Sequence, residues 1–251
     1  MRASIGFVLL PLIMLFIPLF AFPVTWSDDF DSYEPRHDLD EYPAWEKYGG
    51  SLYTDGQIYQ VFVSSFLPAT YGTSIYIAVG GLKLRDMMVS ETITVNEGSP
   101  ISAGTGGGVI TRYSGSGYYS AKVYIYCDYH QNPLKWWTML EIYCSSTKLA
   151  SLEIQKDNYI YSGDISLWVF GTNPTYIIAS ANGAYLTYVD DTYNLPEGYG
   201  GIYDYNTFDQ IYHDNFKEEY TEYSAYPTRL PYSLNTIIEN TSIGSLKALF
   251  K

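Results

Sequence analysis

The chain has 251 residues, with 14 Lys and Arg against 27 Asp and Glu, and its formal net charge is −13. Such an acidic chain is not expected to bind nucleic acid or an anionic lipid surface, because that mode of binding needs clustered cations that neutralise phosphates. Its 28 tyrosines, 11 phenylalanines and 5 tryptophans favour β-strands, and on an exposed sheet such rings are suited to stacking on sugars.

The first 21 residues have the pattern of a secretory signal peptide. Arg2 precedes an apolar run from Ile5 to about Phe22, and Ala21 stands at a plausible cleavage position. Because the run is just long enough to cross a bilayer, an uncleaved anchoring helix is the alternative. Both interpretations place the rest of the chain outside the cytoplasm, secreted or at the cell surface, and only the second attaches it to a membrane.

Short runs rich in β-branched and aromatic residues follow, separated by Gly- and Pro-containing turns. The runs are QIYQVFVSSF (57–66), SIYIAV (74–79), VITRY (109–113), YYSAKVYIYCDY (118–129), MLEIYC (139–144), LASLEI (149–154), ISLWVF (165–170), TYIIAS (175–180), AYLTYV (184–189), and IYDY and QIYHDNF near residue 216. Asn182-Gly183 predicts a type I′ turn, and therefore a hairpin between the two runs that flank it. The spacing of the runs predicts an all-β sandwich or barrel.

These runs define one domain, residues 22–220. The segment that follows, residues 221–251, has the composition of a linker and a weakly helical tail. Two prolines interrupt SAYPTRLPYS, and Gly244 lowers the helix propensity of LNTIIENTSIGSLKALF.

Cys127 and Cys144 are the only cysteines. The period of two along a strand puts each on the apolar side of its run, and a short connection joins the two runs. An even count in an oxidising compartment predicts a disulfide, which would contribute about 3 kcal/mol by restricting the unfolded chain. Two buried thiols are the alternative.

The opposite faces of the same strands carry aromatic and polar side chains. Tyr124 and Tyr126 share the outward face of one strand, Tyr143 lies on that of the next, and Trp168 opposes the apolar face of a later strand. Two further tryptophans fall in the predicted loop between the cysteine-bearing strands. The candidate carbohydrate-binding residues are Tyr124, Tyr126, Tyr143, Trp136, Trp137 and Trp168. Packing within the protein is the alternative role for each of them.

Several weak motifs also occur in a characteristic order. They are SDDFDSY (27–33), AGTGGGVITRYSGSGYYSAKVYI (103–125), and a run from Leu167 to Lys217 that ends in HDNFK. Together they resemble the concanavalin A-like lectin/glucanase superfamily, and in particular LamG-like jelly-roll domains, over about residues 26–220. The resemblance implies an antiparallel jelly-roll sandwich of two sheets, whose first and last strands are neighbours.

The resemblance also implies a structural Ca²⁺ ion where those two strands meet. We expect Asp28, Asp29 or Asp31 to bind it together with Asp214, since a divalent cation relieves the repulsion among gathered carboxylates. Hydrogen bonds from turn amides to these aspartates are the alternative.

Catalysis has weak support in the sequence. Glucanases of this superfamily present a Glu-x-Asp-x-x-Glu strand, which is missing here. Glu141 and Glu153 lie opposite the apolar faces of their strands and are the candidate acid/base pair, because glycoside hydrolysis needs two carboxyl groups at one bond. More often, such residues are solvated positions on the exposed side of a sheet.

The sequence therefore predicts a secreted or cell-surface carbohydrate-binding or adhesion module that is non-catalytic, contains calcium and has a glycan or polysaccharide as its partner. One alternative is a glycoside hydrolase or polysaccharide lyase of jelly-roll fold with an atypical site. Another is a structural surface protein whose tyrosines serve assembly. The oligomeric state is not indicated.

Overall fold

The computed structural model describes residues 25–50, 52–54, 58–59, 72–96, 104–128, 130–206 and 210–220. The predicted leader, the predicted tail and most of the run at residues 57–66 lie outside these ranges. Within them, no helix has the length and apolar character needed to cross a membrane.

The regular secondary structure of the described segments comprises strands and one turn of 3-10 helix, Leu39–Glu41. The strands are β1 (Thr25–Asp28), β2 (Glu46–Gly49), β3 (Tyr53–Thr54), β4 (Ile58–Tyr59), β5 (Gly72–Ile77), β6 (Met87–Asn96), β7 (Thr105–Tyr113), β8 (Tyr119–Asp128), β9 (Lys135–Cys144), β10 (Thr147–Lys156), β11 (Ile160–Phe170), β12 (Thr175–Ala181), β13 (Ala184–Asp190), β14 (Tyr199–Asn206) and β15 (Gln210–Tyr220).

The strands form two antiparallel sheets that pack face to face. The eight-stranded sheet has the order β13-β12-β11-β6-β15-β4-β3, with β1 also paired to β15, and the seven-stranded sheet has the order β10-β9-β8-β7-β14-β5-β2. The predicted all-β fold, an antiparallel two-sheet jelly-roll sandwich, is confirmed.

The larger of two hydrophobic clusters among the described residues lies between the sheets, and alternation along most of the strands produces it. In β6, the residues from Met87 to Val95 alternate between buried and partly exposed positions. Val123 of β8 and Leu140 of β9 are fully buried in the same core cluster and belong to the other sheet. Because successive side chains point to opposite faces of a strand, each sheet contributes one apolar face to the core and keeps one face outside.

The two ends of the domain meet, as the sequence predicts. Asp28 of β1 lies opposite Phe216 of β15. Phe30 and Phe216 are fully buried, and the ring centroids of both lie within 6 Å of Trp45, at 5.8 and 5.0 Å. Aromatic side chains from the beginning and the end of the domain therefore close one part of the core together.

The predicted hairpin is also present. Ala181 of β12 pairs with Ala184 of β13, and Asn182 and Gly183 form the two-residue turn between them. Both turn residues have positive φ, 45° and 80°. Asn and Gly tolerate this conformation better than other residues, which is why this dipeptide specifies the turn.

The prediction of a disulfide between Cys127 and Cys144 is wrong. Both cysteines lie on the core side of their strands, as predicted, but both are thiols. In the β8–β9 hairpin Cys127 pairs with Trp136 near the turn, whereas Cys144 pairs with Tyr119 at the far end. Eight residues of strand separate those two positions, about 27 Å, and a disulfide needs Cα atoms within about 7 Å. The period of two determines the face on which a residue lies but not its position along the hairpin.

A cluster of three titratable residues lies between the sheets, and the sequence did not predict it. Glu91 of β6, Asp204 of β14 and His213 of β15 are almost fully buried. The Nδ1 atom of His213 lies 2.9 Å from Glu91 Oε2, and its Nε2 atom lies 4.0 Å from Asp204 Oδ2. Burial lowers the pKa of His213, but the two carboxylates outweigh it and raise the pKa to about 9. The imidazolium therefore links carboxylates from both sheets.

Candidate functional site

The outer face of the seven-stranded sheet carries a band of aromatic side chains. Tyr124 and Tyr126 of β8 point away from the core, and Tyr126 pairs with Trp137 of β9. The rings of Tyr126 and Trp137 are stacked, with centroids 5.2 Å apart and an interplanar angle of 16°. Tyr143 lies on the same face, two register positions beyond Glu141, which pairs with Lys122.

A cleft of about 410 Å³ opens in this face. We call it the tyrosine cleft. Its lining residues are Thr73, Tyr118, Lys122, Tyr124, Tyr143, Ser145, Ser146, Tyr203 and Tyr205. They come from β5, β8, β9 and β14 and from the segments next to these strands, so the cleft is formed by the assembled sheet rather than by a single loop.

Glycines in and next to β7 make room for one wall of the cleft. A Cβ atom at Gly106 would lie 2.6 Å from Cδ2 of Tyr124, and one at Gly104 would lie 2.6 Å from its Oη. Gly104 also has a φ of 106°, which few other residues adopt. The absence of side chains at these two positions lets the Tyr124 ring lie across the strand, 6.2 Å from the ring of Tyr205.

Lys122 lies inside the cleft between two tyrosine rings. Its Nζ atom is 3.9 Å from the ring centroid of Tyr143 and 3.7 Å from that of Tyr203, and the residue is only 7 % exposed. The two rings stabilise the cation through their π faces. Burial nevertheless lowers the pKa of Lys122 to about 8. Among the described residues, no hydrogen-bond acceptor and no carboxylate oxygen lies within bonding distance of this ammonium group.

The carboxylate opposite Lys122 in the register already has partners. Glu141 is 3 % exposed, and its Oε1 accepts a hydrogen bond from Lys148 Nζ at 2.6 Å. Its Oε2 accepts one from the hydroxyl of Tyr143 at 2.7 Å. Glu141 therefore orients Tyr143 and is neutralised by Lys148, so the cation of Lys122 is not compensated by a contact of its own.

The two predicted catalytic candidates lie on the same outer face but do not line the cleft. Glu153 of β10 is exposed and pairs with Met139 rather than with Glu141. With both oxygens of Glu141 engaged and Glu153 in solvent, the described lining residues of the cleft include no carboxylate. The pair of carboxyl groups that glycoside hydrolysis requires is not assembled there.

The three predicted tryptophans lie in three different environments. Trp136 and Trp137 lie near the start of β9 and not in a loop. As neighbours in a strand, their side chains point to opposite faces. Trp136 packs against the core, and its ring centroid lies 6.0 Å from that of Tyr159. Trp168 belongs to β11 of the eight-stranded sheet and faces outward on the other side of the sandwich. The structure therefore separates Trp168 from the other candidates.

The predicted calcium ligands meet near the junction of β1 and β15, but Asp28 serves a different purpose. Its Oδ1 accepts a hydrogen bond from the amide of Phe30 at 2.9 Å. Its Oδ2 accepts one from the Trp45 indole at 2.9 Å and another from the hydroxyl of Tyr33. This carboxylate holds together the aromatic side chains that close the core, and both of its oxygens already accept hydrogen bonds from the protein.

The other three aspartates of this junction are close enough to interact. Burial, together with the charges of Asp31 and Asp29, raises the pKa of Asp214. Asp29 accepts a hydrogen bond from the amide of Asp31 at 3.2 Å, and Asp214 accepts one from Asn215 at 2.7 Å. Across the described ranges, no group of three acidic, histidine or cysteine side chains is arranged to hold a metal ion. The geometry agrees with aspartates that accept hydrogen bonds from turn amides.

A depression of about 550 Å³ lies at the same junction, and it is larger than the tyrosine cleft. Its aromatic rings, however, pack against neighbouring aromatic rings of the protein. Trp26 packs edge-on against Phe216, with centroids 5.8 Å apart, and Tyr33 is stacked on Tyr42 at 3.8 Å. The tyrosine cleft is the better candidate site, because it combines tyrosine side chains with a cation that has no counter-ion in contact.

Comparison with known proteins identifies the fold. No family model matches the sequence, and no curated protein shows significant sequence similarity to it. A lectin from Bauhinia forficata, solved in complex with GalNAc, superposes with a TM-score of 0.50 at 8 % identity, covering 79 % of this chain and 98 % of the lectin.

Two further solved structures superpose with TM-scores below 0.50. The carbohydrate recognition domain of Emp46p in its metal-free form gives a TM-score of 0.48 at 9 % identity, covering 78 % of this chain and 95 % of the domain. The exoplasmic/lumenal domain of VIP36 in its Ca²⁺-bound form gives 0.47 at 11 %, covering 79 % of this chain and 90 % of the domain. The resemblance predicted from the motifs is confirmed at the level of the fold: the chain has the concanavalin A-like lectin fold.

Proposed function

We propose that this chain is a carbohydrate-binding module that holds a glycan in the tyrosine cleft. The observation that supports this most strongly is the lining of the cleft, in which five tyrosines and one lysine surround a space of about 410 Å³. Binding sites for small ligands have volumes of this order and combine aromatic walls with a few polar groups. The C–H faces of a sugar can stack on the tyrosine rings while its hydroxyls bond to phenol and serine oxygens.

The remainder of the site is consistent with binding rather than hydrolysis. Glu141 is committed to Lys148 and Tyr143, and Glu153 lies outside the cleft. The concanavalin A-like fold adds support, since the superposed Bauhinia forficata lectin was solved with GalNAc. At 8 % identity this comparison concerns the fold alone, so the proposal depends on the cleft itself.

The proposal places the module outside the cytoplasm, as the predicted leader at residues 1–21 indicates. It does not require calcium. Both oxygens of Asp28 accept hydrogen bonds from Phe30, Trp45 or Tyr33, so a cation at this carboxylate would compete with these donors. A melting curve recorded with Ca²⁺ and then with a chelator tests this, and we expect the two midpoints to agree.

A glycan array followed by calorimetry tests the proposed function. We expect wild-type protein to bind at least one class of sugar, and Tyr124→Ala and Tyr205→Ala each to weaken that binding about tenfold or more. Trp168→Ala is the matched control, because it removes a ring from the outer face of the other sheet. Absence of binding to every sugar, or weakening by Trp168→Ala alone, would contradict the proposal.

A further inference from the structure

Lys122 is a cation without a counter-ion in contact, and it lies inside the candidate site. The residue is 93 % buried and its ammonium group contacts the faces of Tyr143 and Tyr203. A buried charge is costly unless it is paired, and two π faces only partly compensate for the lost hydration. The surrounding protein therefore leaves an ammonium group that a bound anion would stabilise.

The charges around Lys122 also favour an anionic ligand. Glu141 is neutralised by Lys148 through a contact of 2.6 Å, so these three residues together carry one excess positive charge. The chain as a whole carries a net charge of −13. A local positive charge on an acidic molecule selects a ligand with one anionic group near the cleft, and disfavours a densely charged polyanion.

We propose that the tyrosine cleft binds a sugar that carries an anionic substituent, with a carboxylate or sulfate oxygen of that sugar bonded to Nζ of Lys122. This inference rests on the proposed function and specifies the class of sugar. The ring of the sugar lies against the partly exposed Tyr124 and Tyr205, whose centroids are 6.2 Å apart, while the anion reaches the lysine deeper in the cleft. A charge-assisted hydrogen bond is stronger than one between neutral groups.

A variant of Lys122 with similar shape separates the effect of charge from that of shape. Lys122→Met removes the ammonium group and keeps most of the aliphatic chain between the two rings. Because it also removes a buried charge, the fold is expected to persist, and a melting curve confirms this before binding is measured. Lys156→Met is the matched control, since Lys156 is an exposed lysine paired with Trp137 in the same sheet.

The experiment compares three versions of one oligosaccharide: one with a uronic acid, a neutral form in which the carboxyl group is reduced to an alcohol, and that neutral form with a sulfate ester added. We expect wild-type protein to bind one or both anionic forms about tenfold or more tightly than the reduced form, Lys122→Met to lose that preference, and Lys156→Met to retain it. The uronate and sulfate arms identify the source of the anion.

Three other outcomes overturn the inference in different ways. If wild-type protein binds the neutral form at least as tightly, and Tyr124→Ala abolishes that binding while Lys122→Met does not, the cleft is a glycan site but not an anion site. If none of the three sugars binds, both this inference and the proposed function are contradicted for these ligands. A preference for anionic forms that survives Lys122→Met would place the anion at another residue.

Discussion

Phe216 packs edge-on against Trp45, with ring centroids 5.0 Å apart and an interplanar angle of 68°. Phe216 lies in β15, the last described strand, and Trp45 immediately precedes β2 near the start of the domain. The contact therefore joins residues that are 171 positions apart in the sequence. Long-range contacts of this kind, rather than local propensity, hold the two ends of the sandwich together.

Replacing this ring should lower the stability of the whole domain. We expect Phe216→Ala to reduce the free energy of unfolding by about 3–5 kcal/mol, because it leaves a cavity beside Trp45 and Trp26. Urea denaturation followed by tryptophan fluorescence measures the change. Tyr193→Ala is the control, since Tyr193 is exposed and its loss should alter the free energy by less than about 0.5 kcal/mol. A change below about 1 kcal/mol for Phe216→Ala would show that the ends do not form a common core.

The closure was expected because the order of several weak motifs resembles a jelly roll whose first and last strands are neighbours. The hairpin was expected from local evidence, since Asn182 and Gly183 tolerate the positive φ that its turn requires. Whether a side chain in a strand faces the core or the outside follows from the alternation of side chains along the strand. For that reason Tyr124, Tyr126 and Tyr143 were correctly placed on an outward surface.

Other features depended on which strands become neighbours, and alternation does not contain that information. Trp168 has the same outward pattern as Tyr124, but β11 joins the other sheet, so the two residues lie on opposite sides of the sandwich. Tyr203 and Tyr205 were missed as site residues for the converse reason. They line the cleft only because β14 pairs with β7, and no short sequence motif predicts that pairing.

Removing the buried imidazole should be strongly destabilising. In His213→Gln, the carboxylates of Glu91 and Asp204 stay buried without a cation, and we expect a loss of about 3–5 kcal/mol in the free energy of unfolding at neutral pH. His130→Gln, in an exposed turn, serves as the control. Equal stabilities of the two variants would mean that the imidazole of His213 does not compensate the carboxylates.

The thiol state of the two cysteines can be checked directly. Because Cys127 and Cys144 lie at opposite ends of the β8–β9 hairpin, we expect a reducing agent to leave the melting temperature unchanged. Protein unfolded without reductant and then alkylated should gain two alkyl groups, as seen by mass spectrometry. A mass without added alkyl groups would reveal a disulfide, and would require a different register for the hairpin.

The affinity for an anionic sugar should depend on pH with a defined sign. Burial lowers the pKa of Lys122 to about 8, and only its protonated form attracts an anion, so binding is strongest below that value. We expect the dissociation constant to rise about tenfold between pH 7 and pH 9. The other ionisable groups that line the cleft or act on the charge of Lys122 are Tyr118, Tyr124, Glu141, Tyr143, Lys148, Tyr203 and Tyr205.

Of these groups, Tyr143 and Tyr203 have a pKa that burial raises well above 10, so both stay neutral throughout this range. Lys122→Arg is the matching variant, because a guanidinium group remains charged at pH 9. Its affinity should therefore stay nearly constant between the two pH values. A wild-type affinity that is equally constant would contradict the role of the ammonium group.

The measurement that tests the proposed site most directly is an NMR titration of isotope-labelled protein with the sugar that binds best. We expect the largest shifts at the side-chain signals of Lys122, Tyr124 and Tyr205, with the Trp168 indole signal unchanged. Shifts confined to Trp168 and its neighbours on the eight-stranded sheet would contradict a glycan site in the tyrosine cleft.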